Sequence, residues 1–227
     1  MLELSVTHTS QGMITMARAS TELEPVLLAD RLRDETRAQH EAVEATPFSK
    51  LLLSQSLPLD AYKEQLWLYH QVLAVLEAEL RRCDHPILRS LWDEKHSRLT
   101  MLCDDLDWLQ VSTPSDSVCA PARELQSWIQ TIVNEDPVCL VGVWYVFEGS
   151  SLGGVFMSRL IAEQYGFTNR GYRYYSGHGS DSANRWRAYR SALNSLPLSA
   201  NETTRVVQAA GVTFGHIGRL LGALIPV

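Results

Sequence analysis

His40 and Glu44 stand four residues apart in the run RDETRAQHEAVE, residues 33–44. Four residues turn an α-helix through about 400°, so the two share a face, and Arg33, seven residues before His40, shares it too. That face offers an imidazole that could ligate a metal and a carboxylate that could hold the imidazole's second nitrogen. It also offers a guanidinium that could take an anion. A solvated Arg-His-Glu surface gives the same pattern, and spacing alone does not separate the two. A second segment, VWYVFEGSSLGGVF at 143–156, sets Gly149, Gly153, Gly154, Ser150 and Ser151 inside an apolar, helical context. Each mid-helix glycine costs about 0.5–1 kcal/mol against alanine. Glycine here could let backbone approach a flat ligand, permit a kink, or allow close helix packing. A phosphate loop is disfavoured, because no Lys-Ser/Thr follows the glycines.

Helices must position both segments. Leu27, Leu28, Leu32, Thr36, His40 and Val43 recur near a 3.6 period. Residues 59–82 carry a stripe of Tyr62, Leu66, Tyr69, Leu73, Leu76 and Leu80. Residues 87–109 read as a charged helical region and 122–133 as another helix. Asp136-Pro137 suggests an N-cap and first helical position for a helix reaching about Tyr165 and ending near Gly166. Residues 169–179 are expected as a Gly/Tyr-rich loop or short hairpin, and 182–196 as helix. Ser199-Ala200-Asn201-Glu202 has the capping-box pattern, opening a last helix to about Leu224. The expected fold is all-α and single-domain. Residues 1–24 are rich in Ser and Thr without period and read as a flexible N-terminal extension, with the domain over 25–227.

Composition narrows the function. Acidic residues outnumber basic ones 26 to 20, for a net charge of −6, which argues against a polyanion partner and so against nucleic acid. No apolar run approaches the ~20 residues of a membrane span, and the N-terminus lacks a secretory pattern. Cys83, Cys103, Cys119 and Cys139 are scattered without a Cys-x-x-Cys pair, which fits reduced thiols in the cytoplasm. His70, His96, His178 and His216 read as structural or surface histidines. A dinuclear iron site would need Glu-x-x-His motifs, and only Asp93-x-x-His96 comes close.

Taken in order, LRDETRAQHEAVE (32–44), RLTMLCDDLDWL (98–109), YVFEGSSLGG (145–154), GYRYYSGHG (171–179), RWRAYRSAL (185–193) and VVQAAGVTFGHIGRLL (206–221) resemble the heme oxygenase family. The likeness is to the bacterial biliverdin-forming type often found with bacteriophytochromes. It spans residues 26–224. It implies an all-α fold with heme b between a proximal and a distal helix. It implies His40 as the proximal ligand of the heme iron, positioned by Glu44. Gly149, Gly153 and Gly154 match the distal-helix glycines lying over the heme face. Arg33, Tyr145 and Arg190 match propionate-binding positions, with Arg187 a neighbouring candidate, and Phe214 matches an aromatic lining the pocket. Ser150 stands where mammalian-type members have an Asp that holds the distal water network. Which groups order that water here is left open among Ser150, Ser151, backbone and remoter side chains.

The implied reaction is oxidative cleavage of heme by O2 to biliverdin, CO and ferrous iron. Heme would be both prosthetic group and substrate. The chain has no flavin or nicotinamide fingerprint, so electrons would come from an external donor, a ferredoxin or a reductase. A bacteriophytochrome would be the recipient of biliverdin, and the protein a monomer. The alternative within the same fold is a carrier that holds heme or biliverdin without turnover.

Overall fold

The computed structural model describes residues 27–225; the extension expected over 1–24 lies outside the described residues. In chain order the helices are α1 (Leu28–Glu35), α2 (Arg37–Glu44), α3 (Pro47–Leu53), α4 (Leu59–Arg82), α5 (Pro86–Leu91) and α6 (Leu99–Leu109). They continue with α7 (Asp116–Glu135), α8 (Leu140–Tyr165), α9 (Arg173–Ser176), α10 (Ser182–Asn194) and α11 (Ala200–Ala223). The described residues contain no strand. The 169–179 segment is accordingly a loop with one short helix, and the hairpin alternative does not occur.

The core follows from the amphipathic stripes. Tyr62, Leu66, Leu73, Leu76 and Leu80 of α4 are buried. Val206, Ala210, Phe214, Ile217 and Leu221 of α11 face inward at three- and four-residue spacing. The helix α8 is apolar on most sides and packs against α11 along their length. The capping box at Ser199 is fully formed: Ser199 Oγ accepts from the Glu202 N–H, and the Ser199 N–H donates to Glu202 Oε2 at 2.8 Å. Gly166, with φ of +69°, ends α8 where a side chain would be strained.

Four expectations change. The periodic stretch 27–43 is two helices, broken at Thr36, whose Oγ1 donates to Leu32 O at 2.6 Å. Leu27 has no oxygen with which to cap α1, and Asn194 of α10 supplies one, accepting from the Ala29 N–H at 2.9 Å. The 87–109 region is α5 and α6 separated by a 3-10 turn at Glu94–His96. Asp93-x-x-His96 is the capping box of that turn: Asp93 accepts from Lys95 N–H, and the Asp93 N–H donates to His96 Nδ1. Asp136 does not cap α8. A 3-10 turn at Pro137–Cys139 comes first, and Asp136 pairs with Arg205 of α11, which holds its carboxyl below the usual range. Finally, α7 starts six residues earlier than expected and contains Pro121 in its second turn, where the ring removes one i→i−4 hydrogen bond to the Ser117 carbonyl.

Candidate active-site cleft

A cleft of about 340 Å³ opens between α2 and α8, within the size range of small-molecule sites. One wall is α2, with Arg37, His40 and Val43 facing inward. The other is α8, with Tyr145, Val146, Phe147, Gly149 and Ser150. Tyr69 of α4 and Tyr174 of α9 close one end. Trp186 of α10 and Phe214 and Ile217 of α11 close the back. The lining is thus mostly aromatic and aliphatic, with cations at the rim.

No residue of α2 is buried, and the His40 side chain is 55% exposed. The inward face of α2 packs on α11, and Val43 is half-buried against the core. His40 packs edge-on against Phe214, ring centroids 5.5 Å apart. Its Nδ1 lies 3.7 Å from Glu44 Oε2. With Nδ1 turned to the carboxylate, Nε2 is the nitrogen available to a ligand, as in carboxylate–histidine–metal arrangements. Among the described residues no group of three or more His, Cys, Asp or Glu is arranged to hold a metal ion. His40 is the one imidazole among the residues that line the cleft.

At the rim, Asp30 gathers the cations. It pairs with Arg33 Nη1 and with Arg190 Nη2, each at 3.1 Å. Tyr145 is buried nearby. Burial pushes its hydroxyl pKa up, against the pull of Arg33 and Arg190. Arg33 also pairs with Asp34. Neither Arg187, which turns to Asn184, nor Arg190, which pairs with Asp30, lines the cleft itself. Sequence reasoning missed Arg37, Tyr69 and Trp186. Arg37 and Trp186 lie unremarked inside RDETRAQHEAVE and RWRAYRSAL, and Tyr69 is read only as part of the α4 stripe.

The distal glycines occupy three different environments. A Cβ on Gly149 would sit 3.5 Å from the Trp186 ring, an ordinary contact at the cleft wall. Gly153 has nothing within 4 Å of that position. On Gly154 a Cβ would come 2.4 Å from the Tyr175 carbonyl oxygen, so this glycine is needed to pack α8 on α9. Neither Gly153 nor Gly154 lines the cleft. The helix bends by 48° between Ser150 and Gly153.

The segment that braces α8 is itself pinned by buried polar groups. Asp105 of α6 accepts from the backbone N–H groups of Arg173 and Tyr174, at 2.9 and 2.8 Å. Tyr62 donates to Gly171 O at 2.7 Å.

Glu148 turns away from the cleft into the interior, near Arg98 and Arg185. Burial pushes its carboxyl up from about 4.5, and the two arginines only partly oppose this. The folded protein then holds this proton to higher pH than the unfolded chain, so stability falls as pH rises through that window. Glu148→Gln removes the penalty. We expect its unfolding free energy from urea titration to exceed that of the parent at pH 8, by about 1 kcal/mol, and to match it near pH 4. An equal offset at both pH values would contradict this.

The heme oxygenase family model matches residues 26–222. The chain belongs to this family. A heme oxygenase of Porphyra purpurea is 27% identical over 197 residues, covering 82% of each chain. Heme oxygenase 1 of Synechocystis is 24% identical over 194 residues, 83% of this chain and 81% of that one. The fold is shared with the crystal structure of the Synechocystis heme oxygenase-1 in complex with heme, at a TM-score of 0.78 and 22% identity, covering 86% and 91% of the two chains. It is shared equally with the Leptospira interrogans heme oxygenase, at 0.78 and 23% identity, covering 86% and 98%. No single helix among the described residues of this heme oxygenase is long and apolar enough to cross a membrane.

Proposed function

We propose that this heme oxygenase is of the bacterial biliverdin-forming type, opening heme b with O2 and external electrons to biliverdin, CO and ferrous iron. The observation that carries the reading is that His40, with Glu44 Oε2 3.7 Å from its Nδ1, lines the same aromatic cleft as the side-chain-free Gly149. The residues present fit heme: a lone imidazole for the iron, flat apolar walls for the macrocycle and cations at one edge for its carboxylates. Heme, when bound, supplies the iron that reduces O2 and the porphyrin edge that is oxidised.

His40 would hold the iron through Nε2, with the Glu44 carboxylate, 3.7 Å from Nδ1, placed to close on that nitrogen and fix the ring. Arg33, Arg190 and Tyr145 would receive the propionates, with Arg37 added from the geometry of the cleft. A guanidinium fork meets a carboxylate with two parallel hydrogen bonds. Phe214 and Trp186 exclude water from the faces. Gly149 keeps the α8 wall free of a side chain, so backbone lines the cleft there. Gly153 and Gly154 act on the shape and bend of α8. Electrons come from a separate ferredoxin or reductase, the protein works as a cytoplasmic monomer, and a bacteriophytochrome is a recipient for the product.

Purified protein mixed with one equivalent of hemin, then ascorbate and an iron chelator in air, tests the reading. A sharp ferric heme band should decay into the broad red band of biliverdin. A stable complex that never opens would make the protein a heme or biliverdin carrier, and no complex at all would leave only the fold in common with its relatives.

A further inference from the structure

Arg98 is 4% exposed and reaches from the start of α6 to the bend of α8. Its Nη1 donates to the Phe147 carbonyl at 3.1 Å and to Ser150 Oγ at 3.3 Å, and its Nη2 donates to the Tyr174 carbonyl at 2.8 Å. The guanidinium lies over the Tyr174 ring, 4.3 Å from its centroid. Behind it, the fully buried Glu77 of α4 accepts from the Arg98 N–H at 2.9 Å and the Ser97 hydroxyl at 2.6 Å. The arginine is therefore fixed at both ends. Ser150 also donates to the Phe147 carbonyl, at 2.6 Å. These directions are forced, because a carbonyl only accepts and a guanidinium only donates.

A serine hydroxyl has one hydrogen and two acceptor positions. At Ser150 the hydrogen is committed to Phe147 O and one acceptor position to Arg98. One acceptor position remains, on an exposed residue that lines the cleft beside the buried Tyr174 hydroxyl, which has no hydrogen-bond partner of its own. A water there must give one hydrogen to Ser150, which leaves its second hydrogen to point on into the cleft. A carboxylate at this position would accept from several waters and bring negative charge. Ser150 accepts one, with a cation behind it.

We infer that Arg98 is a positioning residue that, through Ser150, orients a cleft water as a hydrogen-bond donor and supplies positive charge beside it. The inference deepens the heme-opening reading and rests on it. The pair does the work that a distal acid does by a different route: the water is directed by removing the serine's capacity to donate to it.

The test uses the full chain with hemin as probe, comparing the parent with Ser150→Ala, Arg98→Met, Arg98→Lys and the Ser150→Ala/Arg98→Met double variant. Hemin affinity by titration should be unchanged in all of them. The single-turnover rate should fall about tenfold or more in Ser150→Ala and in Arg98→Met. The double variant should be no slower than the slower single one, because both remove the same water contact. Arg98→Lys, which keeps the charge but not the fork, should recover part of the rate. The pH midpoint of the ferric complex's visible spectrum should rise by about one unit in Arg98→Met, since a nearby cation favours the deprotonated form. A purely structural role would leave that midpoint in place. Should Arg98→Met fail to fold, the exposed Ser150→Ala still decides: a parental rate overturns the inference. Losses that multiply in the double variant overturn it as well. Parent protein that never opens hemin overturns the underlying reading, and does so without reference to any variant.

Discussion

His40→Ala will fold as the parent does, bind hemin with a changed ferric spectrum and lower affinity, and turn over at least about 100-fold more slowly. The folding half of this result follows from burial. His40 is more than half exposed on a helix with no buried residue, and such surface substitutions usually stay within about 0.5 kcal/mol. The binding half follows from the ligand inventory. His40 is the imidazole that lines the cleft. His70 faces Cys103 at 3.4 Å, and His216 stacks on Trp128 with centroids 5.6 Å apart. Nothing else in the wall can replace a nitrogen donor. Glu44→Gln should produce a smaller version of the same loss, about tenfold, because an amide can still accept from Nδ1 but without charge. Equilibrium titration and single-turnover spectra on both variants, alongside thermal melts of the apoproteins, check the prediction. A His40→Ala protein with the parental spectrum and rate would remove His40 from the site.

The legible and illegible parts of this molecule divide by sequence distance. His40 and Glu44 were readable because helix geometry makes them neighbours whatever the tertiary fold, and the Ser199–Glu202 capping box for the same reason. The long amphipathic helix α4 was readable to the residue, since its stripe is repeated over many turns. The bracing of α8 was not. Arg98 meets Phe147 and Ser150 about fifty residues away, Asp105 meets Tyr174 sixty-nine away, and Asp136 meets Arg205 at the same separation. Such pairs leave no periodic trace, and Asp136 before a proline gave a local signal that a tertiary partner overrode. Asp93-x-x-His96 shows the converse. Two chemically suggestive residues that fall short of the Glu-x-x-His pattern form a turn closing on itself, in keeping with the structural reading of His96. The glycines divide in another way. Sequence marks where a side chain is missing, but not what lies across from it.

Gly142 shows how much can hang on that difference. It sits between Val141 and Val143 and carries no motif, yet a Cβ there would be 2.1 Å from the Val206 carbonyl oxygen and 2.9 Å from the Ala210 amide nitrogen. Both are backbone atoms in the middle of α11, so no rotamer change can make room. The α8–α11 crossing, the most extensive helix contact of the core, must open for Gly142→Ala to fit. Overpacking of this kind costs about 1–3 kcal/mol and occasionally more. The gain in helix propensity, up to about 1 kcal/mol, offsets only part of it. We expect a net loss of about 2 kcal/mol or more. The site should suffer too, because α11 carries Phe214 and Ile217 and α8 carries Phe147 and Gly149, and the cleft's two walls are held in register by this crossing. Gly153→Ala is the control. With nothing within 4 Å of the new methyl, it should raise apoprotein stability by about 0.5–1 kcal/mol through helix propensity alone. Urea unfolding of the two apoproteins distinguishes the cases, and hemin titration should show weakened binding in Gly142→Ala. Equal stability in the two variants would mean that α8 and α11 cross with more slack than the backbone distances allow.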